Sequence, residues 1–539
     1  DHLILQGLNG YRFKWSPTGW QHYFGIGSNA ERYKKFLLVH QCNYFISLTI
    51  NMNLKSKTIH AVKWNLLSTV CVTGLGMVSL WILSSLFTTT DYGIISAALI
   101  LSTVFSIITD FGISNSVIRS EKLNKYELSS LYIINVFLGM IFCLGLFIFS
   151  AQLASLFNGG TELAKQIKIM SFSLIISSFG GQPRALLARE LRFDVISKIT
   201  IQSAIFNFVF AVFLSYVYRS PWCVAVSLLV SSSISSVLYI YSSKGLRDIK
   251  LQFFTLKEIK KHVSYGSQLV MDSIINQISV NTYPVLMARL ISLTAIGGYN
   301  ISYNISVALF EKLNPVLSHA LFPAFSKIQN DAVSLKKTFL KVTMFSSLVN
   351  FPMLLGMMLI SDYVVTVFFE QKWQFITPIV QILCLVGAAR SLDVPVISVL
   401  LAKGQMYRNV YLGVFKLALG IPLTWFLGKQ YGLTGIVFSF LCIQIVNFVM
   451  GYFFQVRPCL NIKVKSYIYA VFVPLIHTLP MLVTGYLLIL FLTITSPILS
   501  MVVIIFSCMS VYIASILTSP VKEIKEFNAI VLNNILRNR

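Results

Sequence analysis

Charged residues inside apolar stretches are the first candidates for chemistry in this sequence. A cation at the centre of a bilayer costs about 2.5–3.5 kcal/mol on insertion scales, so a membrane protein keeps one where it binds a partner. Lysine and arginine there can bind an anion such as phosphate, and a carboxylate can exchange a proton or hold sodium. The cations are Lys312, Arg390 and Lys416, and the acids are Asp110, Asp272, Glu311 and Asp393.

Asp110 begins the tripeptide Asp-Phe-Gly, which holds magnesium in protein kinases. A kinase also needs a glycine-rich loop, a lysine on a strand and a His-Arg-Asp loop. The sequence contains none of these, and the tripeptide ends a long apolar run. The motif is therefore read as an acid near the end of a membrane helix.

Composition supports a membrane setting for these charges. The 539 residues are 56% hydrophobic and 12% charged, with mean hydropathy +0.74. Soluble domains are about 25% charged. No Walker motif is present, so ATP is not the expected direct energy source. The eight cysteines and seven histidines show no ligand spacing, so neither a metal site nor a cofactor is predicted.

Hydropathy predicts about fourteen membrane helices, because roughly 20 apolar residues cross about 30 Å of hydrocarbon. The fourth is short, and Pro183 predicts a break at its end. The spans lie near 64–85, 92–116, 128–150, 168–183, 199–218, 221–241, 264–287, 299–320, 339–360, 376–401, 408–428, 432–454, 466–490 and 496–517.

The distribution of positive charge predicts the orientation. Of the 43 lysines and arginines, most fall in alternate connections, which the positive-inside rule assigns to the cytoplasm. Both termini are therefore predicted to be cytoplasmic, and the net charge of +24 needs no nucleic acid. The outer connections hold only Lys165, Lys168, Arg219, Arg289, Lys372 and Lys429.

Residues 1–51 differ from the rest, being polar and aromatic. A basic leader running into the first span begins at Met52, so 1–51 is expected to be an extension or an upstream translation artefact. A genuine cytoplasmic arm is the open alternative. The segment lacks the order of a signal peptide.

An internal repeat predicts two lobes. "LFTTTDYGIISAALI" follows the first span and "ISLTAIGGYNISYNI" follows the seventh, which places Gly93 and Gly298 at equivalent positions, 205 residues apart. The predicted fold is an all-α integral membrane protein with two pseudo-symmetric six-helix lobes and two further C-terminal helices. The divisions are an N-lobe at 52–241, a basic cytoplasmic linker at 242–263, a C-lobe at 264–454, and spans 13–14 with a cytoplasmic tail at 455–539.

Three segments resemble a known family. Residues 290–343, 87–119 and 184–193 resemble the polysaccharide transporters often called Wzx, within the MOP exporter superfamily that also contains MATE transporters. The colanic-acid and teichuronic-acid exporters are the subgroup that this chain most resembles. The resemblance implies a V-shaped bundle in the bacterial inner membrane. It also implies flipping of undecaprenyl-diphosphate-linked repeat units for exopolysaccharide, capsule or lipopolysaccharide O-antigen, with a polysaccharide polymerase and a chain-length regulator as expected partners.

That substrate gives roles to the candidate residues. Diphosphate contact is expected from the cations, a glycan path from two asparagines on one helix face, ion coupling from the acids, and an inner gate at the end of the second span. The assignments are Arg390, Lys416, Lys312 and Arg289 for diphosphate; Asn300 and Asn304 for glycan; Asp272, Asp393 and Glu311 for coupling; Asp110 and Arg119 for the gate.

Each role has a structural alternative. Arg390 and Asp393 are spaced i,i+3, so they can neutralise each other on one helix. Lys312 can pair within the turn of Glu311 or extend to the interface. The asparagines can bond between helices, and Asp110 can be a locally paired acid at a helix end.

Two other functions compete with the flippase. A MATE-like ion-coupled exporter of small molecules would use acids without cavity cations. A membrane enzyme such as a polymerase usually needs a large outer loop, whereas the longest outer connection predicted lies near 151–167. The protein is therefore predicted to be a secondary transporter and not an enzyme.

Overall fold

The computed structural model describes residues 63–110, 113–119, 125–243, 281–491, 496–526 and 529. All regular secondary structure within these ranges is helical. The chain divides into two compact units, Asp1–Ile59 and His60–Arg539, and every described residue belongs to the second. The predicted extension 1–51, Asp272 and nearly all of the predicted linker 242–263 lie outside the described residues.

The first group of helices, termed the N-half, covers α1 to α8. It contains long membrane-length helices and two short ones. These are α1 Lys63–Leu86, α2 Thr89–Asp110, α3 Ile113–Arg119, α4 Lys125–Ile148, α5 Ser150–Leu156, α6 Gly160–Arg189, α7 Phe193–Tyr218 and α8 Trp222–Ser242.

The second group, termed the C-half, covers α9 to α14. Two more long helices and a short one follow it. The C-half has α9 at residues 281–290, α10 Leu293–Lys327, α11 Ala332–Phe368, a 3₁₀ helix Gln371–Ile376, α12 Thr377–Arg390, α13 Asp393–Ala402 and α14 Tyr407–Gly451; then come a π-helical turn Tyr452–Val456, α15 Arg457–Leu460, α16 Val464–Phe491 and α17 Pro497–Leu517.

Ten helical segments of the described residues are long and apolar enough to cross a membrane. Their outward faces carry large apolar side chains, such as Phe213, Tyr216 and Phe506, which are more than 60% exposed. Exposed apolar area on this scale suits lipid rather than water as the surrounding solvent. The protein is a multi-pass membrane protein.

Helix α14 is a hairpin of two helices. Gly432 has φ +60° and ψ −141°, which breaks the helical path. Thr424 and Ser439 lie 15 residues apart, yet their hydroxyl oxygens are 2.7 Å apart. In a continuous helix they would be separated by about 22 Å. The halves therefore run antiparallel, in the places predicted for the spans 408–428 and 432–454.

Pro183 does not break its helix, contrary to expectation. α6 is continuous over Gly160–Arg189, a length of 30 residues. Gly180 lets α8 approach closely, because a Cβ at this position would lie 2.7 Å from the Ser236 hydroxyl. Packing by neighbouring helices is what makes proline tolerable inside membrane helices.

The tenth predicted span, 376–401, is interrupted. α12 ends at Arg390 and α13 begins at Asp393, with a turn at 391–392. Pro395 accounts for the break, since it has no N–H for the Ser391 carbonyl and its ring crowds that group. Arg390 and Asp393 thus flank a turn in which Ser391 and Leu392 keep right-handed helical backbone angles.

The two halves meet along α2 and α10, the helices of the predicted repeat. A Cβ on Gly93 would lie 2.1 Å from the Leu293 carbonyl oxygen, and one on Gly297 would lie 3.0 Å from the Gly93 nitrogen. The hydroxyls of Thr90 and Thr294 are 3.3 Å apart. Only glycine permits backbones to approach this closely.

Candidate functional site

Arg390 pairs with α10 and not with its neighbour Asp393. Its Nη1 lies 2.9 Å from Glu311 Oε1 and donates over 3.4 Å to the Tyr303 hydroxyl. Tyr303 in turn donates to the other carboxylate oxygen of Glu311. The three side chains form a closed triangle that links α10 to the end of α12. The predicted pair within one helix is replaced by a pair between helices.

Asp393 has its own set of partners, three residues further along the chain. Gln444 Nε2 donates to one carboxylate oxygen over 3.1 Å, and Asn447 Nδ2 donates to both over 3.0 and 3.1 Å. The charges of Lys416 and Arg390 also act favourably on this carboxylate. Both arms of the α14 hairpin therefore hold Asp393.

These contacts bring four predicted residues into one region between α10, α12, α13 and α14. The cations Arg390 and Lys416 stand beside the acids Glu311 and Asp393. Arg390 and Glu311 keep about a third of their side-chain surface accessible, at 30% and 32%. The arrangement can bind an anion if one of its own acids moves away.

Aromatic and amide groups extend the region along α10. Tyr299 lies 5.8 Å from Tyr303, and also 5.8 Å from Phe440 on α14, measured between ring centroids. Asn304 Nδ2 donates over 3.0 Å to Asn300 Oδ1 and over 2.9 Å to the Asn300 carbonyl. The two asparagines therefore share one face of α10 and bond to each other along it.

Arg289 lies apart from this region. Its side chain is exposed and its Nε donates over 2.9 Å to the Leu156 carbonyl at the end of α5. Lys312 belongs to α10, Asp110 ends α2 and Arg119 ends α3. The side chains of these last three residues lie outside the part of the molecule that the structure describes.

Within the described ranges, no group of three or more His, Cys, Asp or Glu side chains is placed to hold a metal ion. Among the described side chains, the polar groups of the region above are those of Arg390, Lys416, the two acids, tyrosine and the amides.

Comparison with known proteins gives the family. A family model described as polysaccharide biosynthesis protein matches residues 82–378. The chain belongs to this family. Lipopolysaccharide biosynthesis protein WzxC of Escherichia coli (strain K12) is 33% identical to it over 81% of this chain and 88% of WzxC. Teichuronic acid biosynthesis protein TuaB of Bacillus subtilis (strain 168) is 26% identical over 80% of this chain and 88% of TuaB.

Solved structures show the fold of the chain. The lipid II flippase MurJ, in an inward closed conformation, matches with TM-score 0.68 at 16% identity, over 84% of this chain and 97% of MurJ. An inward-facing multidrug resistance MATE family transporter of the MOP superfamily matches with TM-score 0.52 at 16% identity, over 73% of this chain and 94% of the transporter. The predicted helical MATE/MOP-like fold is confirmed, whereas the number of about fourteen membrane helices stays a prediction.

Three polar residues of the region were not predicted from the sequence. Gln444 and Asn447 are amides spaced i,i+3 in the otherwise apolar span 432–454, which is a signal of polar contact between membrane helices. Tyr303 carries no such signal, because the chain has 24 tyrosines and most membrane tyrosines serve the interface.

A second set of contacts, termed the outer seal, joins the halves at the end predicted to face outward. Lys372 Nζ donates over 3.3 and 3.0 Å to the carbonyls of Ser85 and Phe87, and Trp373 Nε1 donates over 3.0 Å to that of Ser84. Trp373 is fully buried.

The outer seal has a second part, between the end of α5 and α9. Asn158 Nδ2 donates over 3.2 Å to the Ala288 carbonyl near the end of α9, and Arg289 supplies the reciprocal contact to Leu156. Every acceptor in both parts is a carbonyl in or just after the last turn of a helix, where intrahelical partners are missing.

Proposed function

We propose that this protein flips undecaprenyl-diphosphate-linked oligosaccharide repeat units across the bacterial inner membrane by alternating access, for surface polysaccharide assembly. The family, the relatives WzxC and TuaB, and the fold shared with the lipid II flippase MurJ support the proposal. The product would be an exopolysaccharide, a capsule or an O-antigen. The protein acts as a secondary transporter and not as an enzyme, in the inner membrane with both termini cytoplasmic.

The observation that carries the proposal is the ionic region within the membrane helices. A diphosphate cannot cross hydrocarbon unaided, because burying an isolated charge costs many kcal/mol. Arg390 and Lys416 provide fixed positive charge between α10 and α14, and the partly accessible Arg390 side chain can reach a ligand. The prenyl tail can stay in lipid while the head group passes between the halves.

The remaining assignments follow from this substrate. Asn300, Asn304 and the neighbouring tyrosines offer hydroxyl and amide groups to the glycan. The acids are the coupling groups for a proton or sodium gradient, and the end of the second span is the inner gate. These are Glu311, Asp393 and Asp272 for coupling, Asp110 and Arg119 for the gate, and Lys312 as an additional cation.

The test is depletion of the protein in its own strain. Lipid-linked repeat units should accumulate in the inner leaflet, and surface polysaccharide should fall. An expected complex with a polymerase and a chain-length regulator can be sought by crosslinking in the same strain. Normal surface polysaccharide after clean deletion, in a strain that has no second flippase, would contradict the proposal.

The MATE-like alternative predicts a different response to charge reversal. Arg390→Glu and Lys416→Glu should abolish transport of a lipid diphosphate, because they place acids where the substrate is acidic. An exporter of small cations should retain activity. The relatives WzxC and TuaB favour the flippase, since their names state lipopolysaccharide and teichuronic acid biosynthesis.

A further inference from the structure

One terminal nitrogen of the Arg390 guanidinium, Nη1, is already paired with a carboxylate. Glu311 Oε1 lies 2.9 Å from Nη1, and the Tyr303 hydroxyl lies 3.4 Å from the same nitrogen. Tyr303 also donates its proton to Glu311. A carboxylate therefore engages two of the donors, Arg390 Nη1 and the Tyr303 hydroxyl, that a phosphate group would use.

The charges of the described side chains in this region balance, which favours displacement of one acid when a further anion binds. Among the described side chains there, Arg390 and Lys416 are opposed by Glu311 and Asp393. A diphosphate brings at least one further negative charge, and like charges that share a low-dielectric site repel each other strongly. Release of one of the resident acids therefore favours binding of a phosphate group.

Glu311 is the acid that can move. Asp393 is held by two amide side chains from α14 and by the charges of two cations. Glu311 contacts one cation and one hydroxyl, and 32% of its side chain is accessible, so water can solvate it after release. Displacement of the Asp393 carboxylate would break more contacts and would remove the same single negative charge from the site.

We propose that Glu311 is an internal substitute for the substrate phosphate, and that a phosphate oxygen of the incoming lipid carrier replaces its carboxylate on Arg390 and Tyr303. This inference rests on the proposed function. No covalent bond changes; the Arg390 ion pair and the Tyr303 hydrogen bond exchange one oxygen anion for another. The exchange also removes a link between α10 and α12.

The exchange determines which ligands can bind at Arg390. A neutral glycan or a neutral prenyl alcohol cannot compete with a carboxylate for a guanidinium group, because charge-assisted hydrogen bonds are about twice as strong as neutral ones. A phosphate group can compete. The Arg390–Glu311 pair therefore selects lipid carriers by their charge. It does not distinguish one glycan from another.

The test measures binding of undecaprenyl diphosphate to the purified full-length protein in nanodiscs, with undecaprenol as the neutral comparison. Glu311→Gln keeps the shape of the side chain and removes the competing charge, so binding of the diphosphate should tighten about tenfold or more. Arg390→Gln should lose binding, and the double variant should show no gain. Binding of undecaprenol should be the same in all variants.

Glu370→Gln is the matched control. Glu370 also pairs with a cation, Lys372, over 3.0 Å, but at the outer seal. Its substitution should leave the affinity for undecaprenyl diphosphate unchanged.

A measurement on the wild-type chain keeps the inference testable if a variant fails to fold. Binding of undecaprenyl diphosphate should raise labelling of Glu311 by a carboxyl-reactive reagent, quantified by peptide mass spectrometry, because the carboxylate leaves its partners. Unchanged labelling on binding, or unchanged or weaker affinity in Glu311→Gln, would overturn the exchange while the flippase stands. No binding to any form of the protein would count against the proposed function itself.

Discussion

Asp393 illustrates how a membrane helix keeps an acid in place with amides. Its carboxylate accepts three contacts from Gln444 and Asn447, and Lys416 contributes charge from the opposite arm of the α14 hairpin. Amide donors orient a carboxylate without forming an ion pair that a substrate must break. The acid is thus fixed while the neighbouring Arg390–Glu311 pair stays exchangeable.

Substitution of Asn447 should be costly for this reason. Asn447→Ala removes the donor to both oxygens of Asp393, and hydrogen bonds to charged groups contribute about 1.5–3 kcal/mol. We expect a loss of this order in the free energy of unfolding, measured by thermal unfolding in detergent, together with reduced flipping.

Asn350→Ala is the control for that prediction. Both asparagines are buried, at 4% and 5% exposure, but Asn350 donates to the neutral hydroxyl of Ser346 over 3.0 Å. Its loss should cost about 0.5–1.5 kcal/mol. Equal costs for the two variants would contradict a charged Asp393 held by Asn447.

At the residue scale, the sequence identifies the charged residues that lie within membrane helices. It does not predict which of them form ion pairs. Arg390, Lys416, Glu311 and Asp393 stand out because charge is expensive in apolar helices. Their partners depend on helix packing and on the break before Asp393, which spacing along one helix cannot reveal.

Helix α14 shows how glycines shape a membrane hairpin. Gly432 supplies the positive φ at the turn, and Gly435 lies against the backbone of the other arm. A Cβ at Gly435 would lie 2.2 Å from the Leu427 carbonyl oxygen, which cannot move away as a side chain can. Close packing of the arms is what places Lys416 and Asn447 on either side of Asp393.

Gly435→Ala should therefore destabilise the protein. The expected loss is about 1–3 kcal/mol, the usual range for overpacking, measured as a lower midpoint of thermal unfolding. Gly145→Ala in α4 is the same substitution in open space, since nothing lies within 4 Å of its Cβ. It should be neutral or add up to about 1 kcal/mol through helix propensity. The hairpin packing would be refuted if both variants unfolded like the wild type.

At the element scale, hydropathy predicts where the helices lie, because each must match the thickness of the bilayer. It does not predict the break at 391–392, since apolar residues continue through it, or the continuity of α6 through Pro183. Backbone hydrogen bonding and packing by neighbouring helices decide whether a helix continues through a proline. The sequence gives the position of each proline but not these contacts.

At the scale of the whole molecule, the halves are closed at the end predicted to face outward. Glycines at the α2–α10 crossing bring the backbones together, and a core of apolar side chains from both halves, including Ile94, Leu163, Met287 and Ile296, is buried beneath them. Alternating access requires this contact to open. The strength of the contact therefore contributes to the free-energy barrier for separating the two halves during the transport cycle.

A crosslink across this contact should stop transport. In a background whose native cysteines are serines, Thr90→Cys with Thr294→Cys should form a disulfide, because the hydroxyls they replace are 3.3 Å apart. Flipping should fall to background under oxidising conditions and return with reductant. Each single variant should remain active.

The pair Thr424→Cys with Ser439→Cys is the matched control for the crosslink. Its hydroxyls are 2.7 Å apart, but both lie within the α14 hairpin. A disulfide there should leave flipping intact. Full activity of the oxidised Thr90–Thr294 variant would mean that this contact does not open during transport.

The outer seal has a consequence for how the protein can change in evolution. Its donors are specific side chains, Lys372, Trp373, Asn158 and Arg289, whereas its acceptors are main-chain carbonyls. Every amino acid supplies the same carbonyl. Substitutions in the acceptor segments therefore preserve these hydrogen bonds. Only the donor positions restrict which amino acids can be accepted during evolution.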